Sequence, residues 1–106
     1  MIKKLLFIFF LTTLNNVFSQ EKTIAELSAA PNPFTTTTNI TFTAEKDTKI
    51  IFLVKNVLGK TVHKQEFKAK IGKNTIPFSK GDLSAGVYIY SIQNEKKNIS
   101  KRLVIK

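Results

Sequence analysis

Apolar side chains return at every second residue in short runs along most of this chain, and that period selects strands over helices. In TNITFTAE, residues Ile40, Phe42 and Ala44 share one face while threonines line the other. Threonine suits this pattern because its branched Cβ packs well on a pleated surface. No long segment after position 20 carries a helical period. Strand-like runs recur instead between turn signals: around Ile24 to Ser28, then in KIIFLVKNVLGK, TVHKQEFKAK, IGKNTIPFSK, LSAGVYIYSIQNEKKN and ISKRLVIK. About seven strands in one domain predict an all-β fold, an antiparallel sandwich, with a barrel as the structural alternative.

Local features refine that expectation. PNPF (residues 31–34) ends the first strand, because each proline lacks a donor and fixes φ. Ile50, Phe52 and Val54 share a face and Ile51 and Leu53 the other, so this strand is either central and covered or exposes an apolar stripe. NVLGK reads as a hairpin turn with Gly59 free to take positive φ. Val62 and Phe67 are both expected in the core, yet their spacing is odd, which calls for a bulge or a shift of register. Pro77 between Ile76 and Phe78 puts that strand at a sheet edge. The spacing of Leu83, Gly86 and Tyr88 suggests a tyrosine corner, a buried ring whose hydroxyl returns to nearby backbone. The chain then closes on a strand, with Leu103 and Ile105 facing one way and Val104 the other.

The first residues read as a leader. MIKKLLFIFFLTTLNNVFSQ opens with Lys3 and Lys4, continues through an apolar stretch from Leu5 to Leu14, and ends on small-residue positions at Val17 and Ser19. This is the layout of a secretory signal peptide, a signal helix over residues 1–19 with cleavage between Ser19 and Gln20. The apolar run is too short for a membrane span, which takes about 20 residues. Residues 20–106 are then the mature domain. With no cysteine in the sequence, that domain has no disulfides and stands on its hydrophobic core.

The chain carries a formal charge of +10, and loss of Lys3 and Lys4 with the leader leaves about +8. Such a balance fits nucleic acid or an anionic surface. The basic residues are spread along the strands, however, and no Lys/Arg block interleaves with aromatics, so nucleic acid is not expected as a partner. Catalysis finds no support either. His63, the single histidine, is expected on the polar face of a strand with no Ser or Cys at a telling spacing. Asp47 and Asp82 fall in turns, where an Asx side chain bonds its own backbone. Glu45 with Asp47 lacks the further oxygens of a cation site, and Gly59, Gly72, Gly81 and Gly86 are too dispersed for a phosphate loop. Asn39 and Asn98 fit the N-glycosylation pattern, which is frequent by chance. No catalytic, cofactor or metal residue is assigned, and no cofactor is expected.

Four stretches in order, PNPF, NVLGK, LSAGVYIYSI and the terminal KRLVIK, resemble the C-terminal sorting domain of the type IX secretion system of Bacteroidota, type A. The resemblance spans Glu26 to Lys106. It implies an immunoglobulin-like sandwich that enters the periplasm by the general secretory pathway and is recognised by the outer-membrane translocon. It implies too that a sortase-like peptidase commonly removes the domain, and that cargo is secreted or attached at the cell surface. Recognition is expected to fall on Gly86, Tyr88, Lys101, Leu103, Val104 and Lys106, by a receptor that could add a strand to the terminal one. The rival for Gly86, Tyr88 and Leu103 is a purely architectural role. The chain departs from the family pattern in one respect: Gln20 to Ala25 is too short to be a cargo. A fragment of a longer protein, a small surface-binding module and a translocon accessory are the competing explanations. A monomer is expected, without a membrane-spanning segment once the leader is gone.

Overall fold

The computed structural model describes residues 23–106, and the leader read at residues 1–19, with its cleavage between Ser19 and Gln20, lies outside them. Seven strands follow one another: β1 (Ile24–Ala30), β2 (Thr37–Ala44), β3 (Thr48–Asn56), β4 (Thr61–Ala69), β5 (Gly72–Ser79), β6 (Gly86–Gln93) and β7 (Asn98–Ile105). They form two antiparallel sheets, one ordered β1-β2-β5 and the other β4-β3-β6-β7. The expected sandwich is therefore realised with immunoglobulin-like connections, in which the fourth strand joins the sheet of β3, β6 and β7. Among the described residues no helix is long and apolar enough to cross a membrane.

The alternation read in the sequence decides what lies between the sheets. Ile40 and Phe42 of β2, Ile50, Phe52 and Val54 of β3, Ile76 and Phe78 of β5, Tyr90 and Ile92 of β6, and Leu103 and Ile105 of β7 are all buried. Edge-to-face ring contacts tie the layers together: Phe52 meets Phe78 at 5.8 Å and Phe42 meets Phe67 at 6.2 Å between ring centroids. Each fully buried side chain of this size stabilises the fold by about 1.5–3 kcal/mol. Pro77 sits on edge strand β5 as expected, where its missing donor interrupts no ladder on the outer side.

The bulge inferred from Val62 and Phe67 is present. Val54 pairs with His63 and Lys55 with Thr61, so Val62 is the extra residue on β4. This shifts the phase of the strand and corrects one expectation. His63 does not lie on the polar face: its ring packs at 5.6 Å from Phe52 and 5.1 Å from Phe78, and its Nε2 lies 3.2 Å from Gln65 Oε1. Beyond the bulge the inward phase is that of Phe67, and counting back from it puts His63 inward. Ile51 and Leu53 also resolve. β3 is a central strand, but these two half-buried side chains face away from the other sheet.

Tyr90 is almost wholly buried, and burial raises its phenol above the ordinary value of 10.0. The unfolded chain therefore releases this proton first as pH rises through about 10. Below that pH the group contributes no pH dependence; above it, the unfolded state is progressively favoured. Wild-type protein should lose stability relative to Tyr90→Phe between about pH 10 and 12, and the two should differ by a constant amount below pH 9, as read by urea denaturation at each pH.

Candidate recognition end of the sandwich

Seven antiparallel strands send alternate connections to opposite ends. The β1–β2, β3–β4 and β5–β6 connections share an end with the carboxyl terminus of β7. The four family-like stretches therefore meet there: PNPF in the first connection, NVLGK in the second, LSAG in the third, and the last residues of KRLVIK. The chain enters the sandwich at the other end, where Glu45 N donates to Thr23 O at 3.0 Å and Asn94 Nδ2 donates to Thr23 Oγ1 at 2.9 Å.

PNPF does more than stop β1. Both of its X-Pro bonds are cis, and the segment runs along the outer edge of β7. Phe34 N donates to Val104 O at 3.0 Å and Lys106 N donates to Phe34 O at 2.9 Å, a parallel bridge opposite Ile105. Two residues earlier the Asn32 side chain repeats the pattern opposite Leu103. Its Nδ2 donates to Arg102 O at 3.0 Å, and its Oδ1 accepts from Val104 N at 3.0 Å. A carboxamide presents an N–H donor and its C=O acceptor side by side, as a single strand residue presents its own N–H and C=O, so Asn32 stands in for a strand residue. The Phe34 ring is buried and meets Phe78 edge-on at 6.2 Å, anchoring the segment in the core. Thr38, also buried, donates its hydroxyl to Pro31 O at 2.6 Å.

The residues expected to carry recognition divide between framework and surface. Tyr88 is buried and its hydroxyl donates to Ser84 O at 2.8 Å, which completes the tyrosine corner. Gly86, half-buried at the start of β6, has φ +156, a backbone that L side chains rarely adopt, although a Cβ would meet no atom within 4 Å. Leu103 is wholly buried opposite Tyr88. Lys101 and Lys106 are exposed, and Val104 is half-buried on the outer face opposite Val87. Lys101 shares the inner phase of Leu103 yet reaches solvent, because β7 is the edge of its sheet. An inward-phase charge on an edge strand hinders edge-to-edge pairing with other chains. The clamp also occupies the outer edge of β7 from Arg102 to Lys106, so strand addition along that stretch requires PNPF to leave.

Groups weighed for chemistry are placed elsewhere. Asp47 Oδ1 accepts from Ile71 N at 2.9 Å, so it braces the neighbouring β4–β5 turn rather than its own backbone. Among the described residues no cluster of three His, Cys, Asp or Glu side chains could hold a metal ion. Asn39 and Asn98 are both exposed. Asn32 was not singled out from sequence; an Asn held between two prolines was the available signal.

Compared with models of known protein families, the chain matches the secretion system C-terminal sorting domain over residues 28–106. No curated protein matches the chain.

Asn32→Ala removes both side-chain bonds to β7 from an exposed position and should cost on the order of 1–2 kcal/mol. The check is the shift of the urea midpoint at unchanged slope, with exposed Asn39→Ala as a control that should cost less than about 0.5 kcal/mol.

Proposed function

The chain belongs to the family of type IX secretion system C-terminal sorting domains, and from that membership we propose that its sandwich is a folded export address with no catalytic activity of its own. The address directs what carries it to the outer membrane and the cell surface. The leader delivers the chain to the periplasm by the general secretory pathway, and the outer-membrane translocon then reads the end that bears Lys106. A sortase-like peptidase acts on the exported domain, which travels as a monomer.

The observation that supports this reading is the meeting of the four family-like stretches with the carboxyl terminus at one end of the sandwich. The chain enters at the opposite end, which leaves this surface unobstructed by anything attached through residue 23. Lys101, Val104 and Lys106 are the groups a receptor touches. Gly86, Tyr88 and Leu103 act through the shape they fix, since the latter two side chains are buried.

The test is a passenger carrying a secretory leader and fused to residues 20–106. It should reach the surface in cells with a working translocon and remain periplasmic in cells without one. Retention in both, or delivery in both, contradicts the proposal. Deleting KRLVIK does not separate recognition from folding, because Leu103 and Ile105 are core residues. Lys101→Glu with Lys106→Glu is the cleaner variant. It should reduce delivery by about tenfold while leaving the unfolding free energy from urea titration within about 0.5 kcal/mol of wild type.

A further inference from the structure

The two outward faces of the sandwich differ. On the β1-β2-β5 sheet the outer residues of β2 and β5 are Thr37, Asn39, Thr41 and Thr43 facing Ser79, Pro77, Thr75 and Lys73. That face is polar and nearly uncharged. On the other sheet, register places Ile51 and Leu53 of β3, Val87 and Ile89 of β6 and Val104 of β7 on the outer face, in an oblique apolar stripe. Val87 is 42% exposed and Ile89 40%. The stripe climbs toward the β3–β4 hairpin, where Val57 is 74% and Leu58 89% exposed.

That hairpin tip is held in place. Asn56 Oδ1 accepts from the amides of Leu58 and Lys60, both at 3.0 Å, Gly59 N donates to Asn56 O at 2.9 Å, and Gly59 supplies the positive φ of +85. Two aliphatic side chains are thus presented to solvent on a fixed turn. Isolated exposed aliphatics need no explanation, but a fixed tip bearing two exposed aliphatics, on the same end as a partly exposed aliphatic stripe, marks an interaction surface.

Charge indicates what fits it. Lys55, Lys60, Lys64, Arg102 and Lys106 are exposed around the stripe and tip. Glu66, directly opposite Ile51 on β4, is paired with Lys49 at 3.3 Å and lies near Glu95, so these acids sit at the Ile51 end of the stripe, away from the hairpin. Asp82, in the β5–β6 connection, is the one acid among the described residues at the hairpin's end. We infer that the β3–β4 tip and the outer face of the β4-β3-β6-β7 sheet dock an acidic protein surface with an apolar centre, supplied by the outer-membrane export machinery. Opposite charge steers the encounter, and the aliphatic stripe supplies the buried centre. A lipid surface is disfavoured because the patch carries none of the exposed aromatics that anchor at a bilayer interface; both tyrosines lie on the inner face. This inference rests on the sorting reading and adds to it a surface distinct from the terminal residues.

The test uses the full chain in cells with an assembled translocon, with a photo-reactive residue in place of Leu58 and, as a control, in place of Thr41 on the opposite face. The expected result is a cross-link from position 58, and not from 41, to an outer-membrane protein with an acidic surface. Val57→Asp with Leu58→Asp, at positions too exposed to support the core, should lower surface delivery at least about tenfold, whereas Leu58→Met retains it. Lys55→Glu with Arg102→Glu should lower delivery similarly. Unchanged delivery by the double Asp variant overturns the inference, as do equal cross-linking from both faces, cross-links to a second copy of the chain, or cross-links to lipid. Failure of the wild-type chain to reach the surface would instead sink the sorting reading itself.

Discussion

The end of the last strand, from Arg102 to Lys106, is paired along both sides, and the arrangement of the carboxyl-terminal end depends on that. A terminal strand with one bare edge frays and invites pairing by other chains. Here β6 holds one side of β7 through a full ladder, while Asn32 and Phe34 hold the other from Arg102 to Lys106. With that edge closed, Leu103 and Ile105 stay in the core, and Val104 and Lys106 keep fixed positions at the surface. Asn32 achieves this with a side chain because two prolines occupy the backbone positions on either side of it. Neither proline can donate to a ladder.

Closure of that edge also gives the molecule two distinct ends. One gathers the PNPF clamp, the NVLGK hairpin, the tyrosine corner and the carboxyl terminus. The other receives the chain at Thr23 and holds the remaining turns. Glu45, Asp47 and Glu95, half of the described acids, lie in turns of the entry end, whereas Asp82 alone lies in a turn of the carboxyl-terminal end. The basic character of the recognition end is thus a matter of where acids are missing as much as where lysines stand. Both the aliphatic tip and the terminal lysine are presented on supports that burial and backbone hydrogen bonds fix, so this end of the molecule is preorganised.

Period-two alternation made the strands and most of the core legible from the sequence, because each strand has one face against the opposite sheet. Pro77 announced an edge through its missing donor, and the odd spacing of Val62 and Phe67 announced a bulge. The side of β4 on which His63 lies is not legible, because the bulge at Val62 moves every later side chain to the other face. The tyrosine corner was visible in local spacing, although Ser84 supplies its acceptor. The clamp was not visible. Asn32 and its partners on β7 lie 70 and 72 residues apart, and no local pattern encodes which strand edge a loop will cover. Of the candidate recognition residues, the alternation of Leu103 with Ile105 identified core positions. It could not tell that Lys101, in the same phase, escapes to solvent at the sheet edge.

Amide hydrogen exchange on the intact protein tests the ordered terminus most directly. Val104 and Lys106, whose amides donate to Asn32 and Phe34, should exchange far more slowly than unstructured amides, with Val104 nearing the protection of the core strands. Exchange of both at the rate of an unfolded chain, while Tyr90 and Ile92 remain protected, would contradict an ordered terminus.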